Sequence, residues 1–553
     1  MTEPLLSVRD LTVALPPGGD RRHALDAVSL DLRPGEIHCV VGESGSGKSM
    51  TATAIMGLLA PTLTVEGGRI LFRGRDLREV DERGLRRIRG REIGMIFQEP
   101  MTALNPLHTI GDQIAEMFRA HTDLRASEIA GRVEKLLADV HIPDPKAAAR
   151  AYPHELSGGQ RQRAMIAMAL ALEPSVLIAD EPTTALDVTT QAQILSLIRE
   201  LQDRTGAAVL FITHDFGVVA EIADRVSVMQ HGRVVEHGTA EAVLDRPKHP
   251  YTRALIAAVP STVPPKRAAR IAPGETLLEV EGAGKTYRTG SLFGRRKRVV
   301  RAVDDVTLTL ERGRTLGIVG ESGSGKSTLA RMIVRLIDPD HGAVRIGDVD
   351  LASLSRRELR EQSRRVQMVF QDPHASLNPR RRAGDLVAQG LVVHGMARAE
   401  ALDRARRLFA LVGLDPNGID RFPHEFSGGQ RQRIGLARAL ALEPSVLVAD
   451  EPVSALDVSV QAQILELFER LKRELGLTMV FITHDLRVAA QICDRIAVMK
   501  NGRVVEVGDA AEVFAHPRHD YTRTLLAAVP GCHWTPDLGD AVTPFPVRRE
   551  VYA

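Results

Sequence analysis

Two eight-residue stretches, GESGSGKS at 42–49 and again at 320–327, combine small residues, one lysine and a terminal hydroxyl. That spacing suits a polyphosphate. In the first stretch Gly42, Gly45 and Gly47 let the backbone come close to phosphate oxygens, while Glu43, Ser44 and Ser46 add further N–H groups, and a helix beginning at the end of the loop adds its N-terminus. Lys48 would reach the β and γ phosphates and the Ser49 hydroxyl would ligate Mg²⁺. The second stretch repeats every part: Gly320, Glu321, Ser322, Gly323, Ser324, Gly325, Lys326 and Ser327, followed by Thr328. One such pattern occurs by chance; two, each after an apolar strand-like run, are strong evidence.

Carboxylates of the right kind recur with the loops. LIADEP at 177–182 and LVADEP at 447–452 place Asp180 and Asp450 at the tip of an apolar run, where they suit support of Mg²⁺. The adjacent Glu181 and Glu451 are placed to orient an attacking water. An Asp-Glu pair after a strand also reads as a plain polar loop, but a phosphate loop in the same domain favours the chemistry. Four further signals recur in order: Gln98 and Gln371 in FQEP and FQDP, SGGQRQR at 157–163 and 427–433, ALD at 185–187 and 455–457, and FITHD around His214 and His484. A lone histidine after a strand is ordinarily a core or surface residue. Recurrence of the same five residues weakens that reading.

The elements that must position these groups follow from the repeat. Lys48 and Lys326 lie 278 positions apart (326 − 48), whereas Ser157 and Ser427 lie 270 apart (427 − 157), so the copies differ in insertion length between these motifs. A period this long means tandem domains: 1–260, a Pro- and Ala-rich linker at 261–276, 277–530, and a tail at 531–553 without periodicity. Within each, short apolar runs such as 29–32, 37–41, 176–179 and 208–213 read as buried strands whose C-terminal tips carry the polar residues, the usual ligand-site anatomy of α/β folds. Residues 111–149 have helical periodicity.

Composition narrows the class. With 72 basic and 70 acidic residues, no global field draws the 553-residue chain to nucleic acid or anionic lipid. Arg295, Arg296, Lys297 and Arg298 form one basic cluster, read as a solvated loop. Cys39, Cys493 and Cys532 have no paired spacing, which fits a reducing cytoplasm and excludes a disulfide framework or local zinc motif. No signal peptide and no run of membrane-spanning length is apparent.

Taken together, the motifs resemble the nucleotide-binding domains of ABC transporters over essentially the whole chain. The resemblance implies an α/β fold of two tandem P-loop NTPase domains, each with a RecA-like core, an antiparallel β subdomain and a helical subdomain, and an ATPase using ATP and Mg²⁺. It implies that Gln98 and Gln371 contact Mg²⁺ or the attacking water and sense a membrane partner, and that His214 and His484 contact the γ-phosphate. It also implies composite sites: Lys48, Asp180, Glu181 and His214 with Ser427, Gly428, Gly429 and Gln430, and Lys326, Asp450, Glu451 and His484 with Ser157, Gly158, Gly159 and Gln160. An aromatic ring usually stacks on adenine; an ungapped comparison of 5–15 with 277–287 puts Tyr287 there in one copy and Leu15 in the other, unless a nearby aromatic substitutes or the alignment slips.

FQEPMTALNP, FQDPHASLNP, HPYTRALIAAVP and HDYTRTLLAAVP look like the dipeptide, oligopeptide and nickel importer branch. That branch implies two membrane-spanning permease subunits, an extracytoplasmic solute-binding protein, a place on the cytoplasmic face of the membrane and no nucleic acid. Many members carry a cysteine-bearing extension that can hold an iron–sulfur cluster; this chain offers only Cys532 there, so no cluster is expected and the subgroup is left open. Dipeptide or oligopeptide import is the leading expectation. Nickel or glutathione import and a non-transport ABC ATPase are the alternatives.

Overall fold

The computed structural model describes all residues except 1–2, 19–20, 185, 266–273, 290–297, 455, 535 and 537–553. Most of the basic cluster, Ala185, Ala455, half of the linker and nearly all of the tail therefore lie outside the described residues. The chain forms two units: Met1–Leu186, Thr190–Val259 and Pro530–Ala553 make the first, and Asp187–Thr189 with Pro260–Val529 the second.

In the first unit an antiparallel sheet comes from β1 (Leu6–Ala14), β2 (His23–Leu32), β4 (Thr64–Phe72) and β5 (Arg75–Asp76) in the order β2-β1-β4-β5. A second, six-stranded sheet combines β3 (Ile37–Val41), β6 (Ile93–Ile96), β7 (Val176–Asp180), β8 (Ala208–Thr213), β9 (Arg225–Gln230) and β10 (Arg233–Thr239) in the order β10-β9-β3-β8-β7-β6. Its strands are parallel except for the β10 edge. β3, β7 and β8 are buried along their whole length, which explains why they read as continuous apolar runs and not as alternations. Their two faces feed different cores. Leu177 and Ala179 pack with Val209 and Phe211 on one side, and Val176 and Ile178 with Leu210 and Ile212 on the other, toward the antiparallel sheet.

The region read as helical resolves into helices Ile110–His121, Ala126–Asp139 and Pro145–Arg150. Ile110, Ile114 and Phe118 are buried at four-residue intervals, as are Ile129, Val133 and Leu137, the stripe of an amphipathic helix. Thr109 and Asp144 cap two of these helices through their side chains.

The tail begins on this unit. Gly531 N–H donates to Glu221 Oε2 (3.1 Å) and the Trp534 indole N–H to Asp245 Oδ1 (3.2 Å), with Trp534 packed against the core. Gly531 is left-handed (φ 64°), and a Cβ there would lie 2.8 Å from Gly217 O, so only glycine fits this backbone-on-backbone contact.

The second unit repeats the plan. β11 (Thr276–Thr289), β12 (Arg298–Glu311), β14 (His341–Ile346) and β15 (Val349–Asp350) form the antiparallel sheet in the order β12-β11-β14-β15. β13 (Thr315–Val319), β16 (Val366–Val369), β17 (Val446–Asp450), β18 (Thr478–Ile482), β19 (Arg495–Lys500) and β20 (Arg503–Asp509) form the other, in the order β16-β17-β18-β13-β19-β20.

Candidate active site

Each glycine loop leaves the end of the central strand of its sheet and feeds a helix, Lys48–Ile55 or Lys326–Ile333. Gly42 has φ 152° and a Cβ there would sit 2.2 Å from Met229 O; Gly320 has φ 149° and would meet Met499 O at 2.2 Å. A side chain at either position is excluded by backbone. Gly47 and Gly325, the residues before the two helices, are left-handed, which turns the loop so that the helix N-terminus faces it. Ser46 Oγ and Ser324 Oγ are buried without a hydrogen-bond partner. An unsatisfied buried hydroxyl in a glycine loop that opens a helix is an observation that a bound phosphate would account for.

Both lysines are buried. Lys48 Nζ donates to Gly42 O (2.8 Å) and Glu43 O (3.0 Å), and Lys326 Nζ to Gly320 O and Glu321 O (2.8 Å each). Burial pulls the Lys326 ammonium below the usual lysine range, against the pull of Glu451, Asp187 and Asp450.

The carboxylates meet this lysine end of the loop. Ser49 Oγ donates to Asp180 Oδ1 (2.9 Å), and Ser327 Oγ to Asp450 Oδ1 (3.1 Å). Burial pushes the Asp180 carboxyl up to about 6, with the Glu181 charge adding to it and the Ser49 hydroxyl opposing. Asp450 is raised for the same reason. Such a desolvated carboxylate beside a hydroxyl calls for a cation, and a hydroxyl, a carboxylate and an amide oxygen are the hard donors Mg²⁺ takes. Ser49 with Asp180, and Ser327 with Asp450, fit that ion.

Glu181 and Glu451 extend the strand by one hydrogen bond, to Ile212 O and Ile482 O (2.9 Å each). They then adopt the left-handed region, φ 45° and 46°. Non-glycine residues held there cost energy and cluster at functional sites. Glu181 Oε2 lies 3.3 Å from His214 Nδ1 and accepts from Gln98 Nε2 (3.0 Å) and Thr184 Oγ1 (2.9 Å). Glu451 lies 3.2 Å from His484 Nδ1 and accepts from Gln371 Nε2 at 2.7 Å. Burial is the largest influence and would raise these carboxyls, but the histidine, the loop lysine and the hydrogen-bond donor beside each together outweigh it, bringing Glu181 down to about 2 and lowering Glu451. His484 is raised, burial opposing and the Glu451 carboxylate prevailing. Each unit thus brings together its lysine, serine, aspartate, glutamate, glutamine and histidine. Gln98 and Gln371 are found on the glutamate and not on the Ser–Asp pair.

The signature residues stand apart. Ser157 and Gln160 cap their own helix reciprocally, Ser157 Oγ accepting from Gln160 N and Gln160 Oε1 from Ser157 N, and Ser427 and Gln430 do the same. This is a capping box. Among the described residues no hydrogen bond joins it to the glycine loop of its own unit. A Cβ at Gly159 or Gly429 would lie 2.9 Å from Thr190 Cγ2 or 2.4 Å from Val460 Cγ1, so that side chain would have to move.

Two residues were missed as site residues. Tyr251 and Tyr521, from the HPYTR and HDYTR segments, each reach the second residue of a glycine loop. Their repetition was visible but carried no chemistry until the fold placed them.

Comparison with known sequences decides the family. The ABC transporter profile matches 25–184 and 303–454, more than half of the chain. The chain is an ABC transporter ATP-binding protein. The profile "Oligopeptide/dipeptide transporter, C-terminal region" matches 235–296 and 505–541, which puts this ABC protein in that branch. A peptidoglycan transport ATP-binding protein, YejF of Agrobacterium fabrum, is 50% identical across 95% of this chain and 96% of its own. A glutathione import ATP-binding protein, GsiA of Salmonella paratyphi A, is 47% identical across 95% of this chain and 89% of its own. The solved ABC transporter cassette MJ0796 is 32% identical over 42% of this chain and 99% of that one, with a TM-score of 0.39. This ABC protein hydrolyses ATP as the ATPase of an importer and works with membrane permease subunits; no helix among its described residues is long and apolar enough to cross a membrane.

Proposed function

We propose that this ATPase powers import of dipeptides or oligopeptides, working at the cytoplasmic face of the membrane with two permease subunits that receive solute from an extracytoplasmic binding protein. The observation that carries the cargo class is the oligopeptide/dipeptide C-terminal region, matched once in each half. Glutathione is itself a tripeptide and peptidoglycan fragments carry peptides, so the names of both relatives are consistent with a peptide backbone as the common element.

In this reading each ATP lies on one glycine loop and is completed by the signature helix of the other copy: Lys48, Asp180, Glu181 and His214 with 427–430, and Lys326, Asp450, Glu451 and His484 with 157–160. Mg²⁺ held by Ser49 and Asp180, or Ser327 and Asp450, would neutralise charge on the β and γ phosphates. Glu181 and Glu451 orient the attacking water; Gln98 and Gln371, already on those carboxylates, hold them in place and report contact with the permease. The histidines donate to the γ-phosphate. Closure on ATP and opening after hydrolysis form a two-state switch.

Growth of a deletion strain on defined peptides as sole nitrogen source, with glutathione and nickel limitation as parallel arms, tests the cargo. Loss of growth on peptides alone is expected. Normal growth on every peptide, with failure only under nickel limitation, would overturn the peptide reading.

A further inference from the structure

The HPYTR segment is built to deliver one hydroxyl. Glu236 Oε1 and Oε2 accept from the N–H groups of Lys248 (2.7 Å) and His249 (3.1 Å), and His249 Nδ1 in turn accepts from Tyr251 N (3.2 Å). Pro250 then opens the helix Pro250–Ala257, where its missing N–H costs nothing. In the second unit Glu506, Arg518, His519 and Tyr521 repeat the arrangement before the helix Asp520–Ala527. Tyr251 and Tyr521 are each only 6% exposed, so a phenol buried twice in the same place needs a partner.

That partner is the glycine loop. Glu43 N–H donates to Tyr251 Oη at 3.3 Å, and Tyr251 Oη donates back to Glu43 Oε2 at 3.1 Å. Glu321 N–H donates to Tyr521 Oη at 3.2 Å, and the Lys500 ammonium sits 4.4 Å from the centre of that ring. The N–H in question belongs to the peptide unit whose carbonyl is Gly42 O, or Gly320 O, the acceptor of the lysine at 2.8 Å. In a trans peptide the two groups point in opposite directions, so phenol and ammonium grip one peptide plane from its two sides. Gly42 and Gly320 have no Cβ to resist rotation of that plane, and donation to the phenol makes the carbonyl a better acceptor.

We infer that Tyr251 and Tyr521 are positioning residues for ATP binding: each phenol fixes the first peptide of its glycine loop and through it the resting place of Lys48 or Lys326. The C-terminal region that marks this importer branch is thereby tied to the phosphate site. This rests on ATP binding by the family and not on the cargo.

The test is Tyr251→Phe in a Lys326→Ala background and Tyr521→Phe in a Lys48→Ala background, in the full chain, with affinity for mant-ADP read by fluorescence titration. Removing the phenol's hydrogen bonds to the loop while keeping the ring should weaken mant-ADP by about three- to tenfold, with a smaller fall in the thermal midpoint than a cavity in the same helix causes. Leu255→Ala, which cuts the same helix at a buried apolar position, should lower the midpoint and leave mant-ADP affinity alone. Unchanged affinity in both phenylalanine variants would overturn the inference, as would an equal loss of affinity in Leu255→Ala.

Discussion

At the scale of single residues, Glu181 and Glu451 concentrate the chemistry: left-handed backbone, a histidine on one side and a glutamine on the other hold each carboxylate ionised and aimed. Glu181→Gln or Glu451→Gln should leave ATP binding intact and slow turnover by about two to four orders of magnitude, the effect of losing a water-orienting base. Steady-state ATPase of each single variant measures this, and a wild-type rate in either would make that site non-catalytic. Adenine should be held unequally. Leu15 N–H bonds to Arg22 O, and Tyr287 pairs with Val300, the residue at the corresponding ladder position of the second unit, so the backbone register puts Leu15 and Tyr287 in the same place. Stacking on an aromatic ring is worth about 1–3 kcal/mol. The site left intact in Lys326→Ala should bind ATP several-fold more weakly, and prefer it less over GTP, than the site left in Lys48→Ala.

A second residue-scale contrast is structural. His38 on β3 is buried, its ring bonded to Asp31 O (2.9 Å) and Ser227 Oγ (2.8 Å). The second unit has Leu316 and Ala497 at these ladder positions. Burial holds His38 down to about 4, the Asp31 carbonyl opposing and the Arg225 and His237 charges adding. Its folded value lies below the ordinary 6.5, so the unfolded chain takes the proton first. Stability from this group is present above the ordinary value and lost as pH falls toward 4, by about 2 kcal/mol at about pH 5. The gap between thermal midpoints at pH 7 and pH 5 should narrow in His38→Leu/Ser227→Ala. A gap as wide as in the parent would refute this.

At the scale of elements, the LNP segments matter most. Asn105 Oδ1 accepts from Leu107 N (3.0 Å) and Asn378 Oδ1 from Arg380 N (3.0 Å), side chain-to-backbone turns that stand just before the helical regions. Leu107 is 81% exposed and Met101 54%, a cost that a docking partner would offset. Cysteines at Leu107 and Arg380 should cross-link to cytoplasmic permease loops in membranes, and failure to recover any membrane protein with the chain in mild detergent would count against docking there. Legibility divides along the same lines. β3, β7, β8 and the helix after the glycine loop were readable because continuous burial and polar strand tips leave unmistakable runs, and the loop residues because phosphate geometry tolerates few alternatives. The tyrosines were not, since Tyr251 lies 208 residues from Glu43 and no local pattern reveals so distant a partner. Nor was the pairing of Gln98 with Glu181, which depends on how β6 and β7 lie side by side.

At the scale of the whole molecule, duplication in one chain fixes a one-to-one ratio of unlike copies and raises the effective concentration of each for the other. Differences such as Leu15 against Tyr287 then persist in every molecule, which separate identical subunits could not ensure. The first unit is also discontinuous: its last piece, with Gly531 and Trp534, follows the second unit in the sequence. A ribosome that has finished the first 260 residues has therefore not finished the first unit. It must still make the whole second copy before the tail arrives to close the first. The chain's single tryptophan lies in that closing piece, so its emission reports completion as well as unfolding. A fragment ending at 260 should melt below the first unit of the full chain, and Trp534→Ala should reproduce part of that loss; equal midpoints would mean that the first copy is complete as soon as it leaves the ribosome.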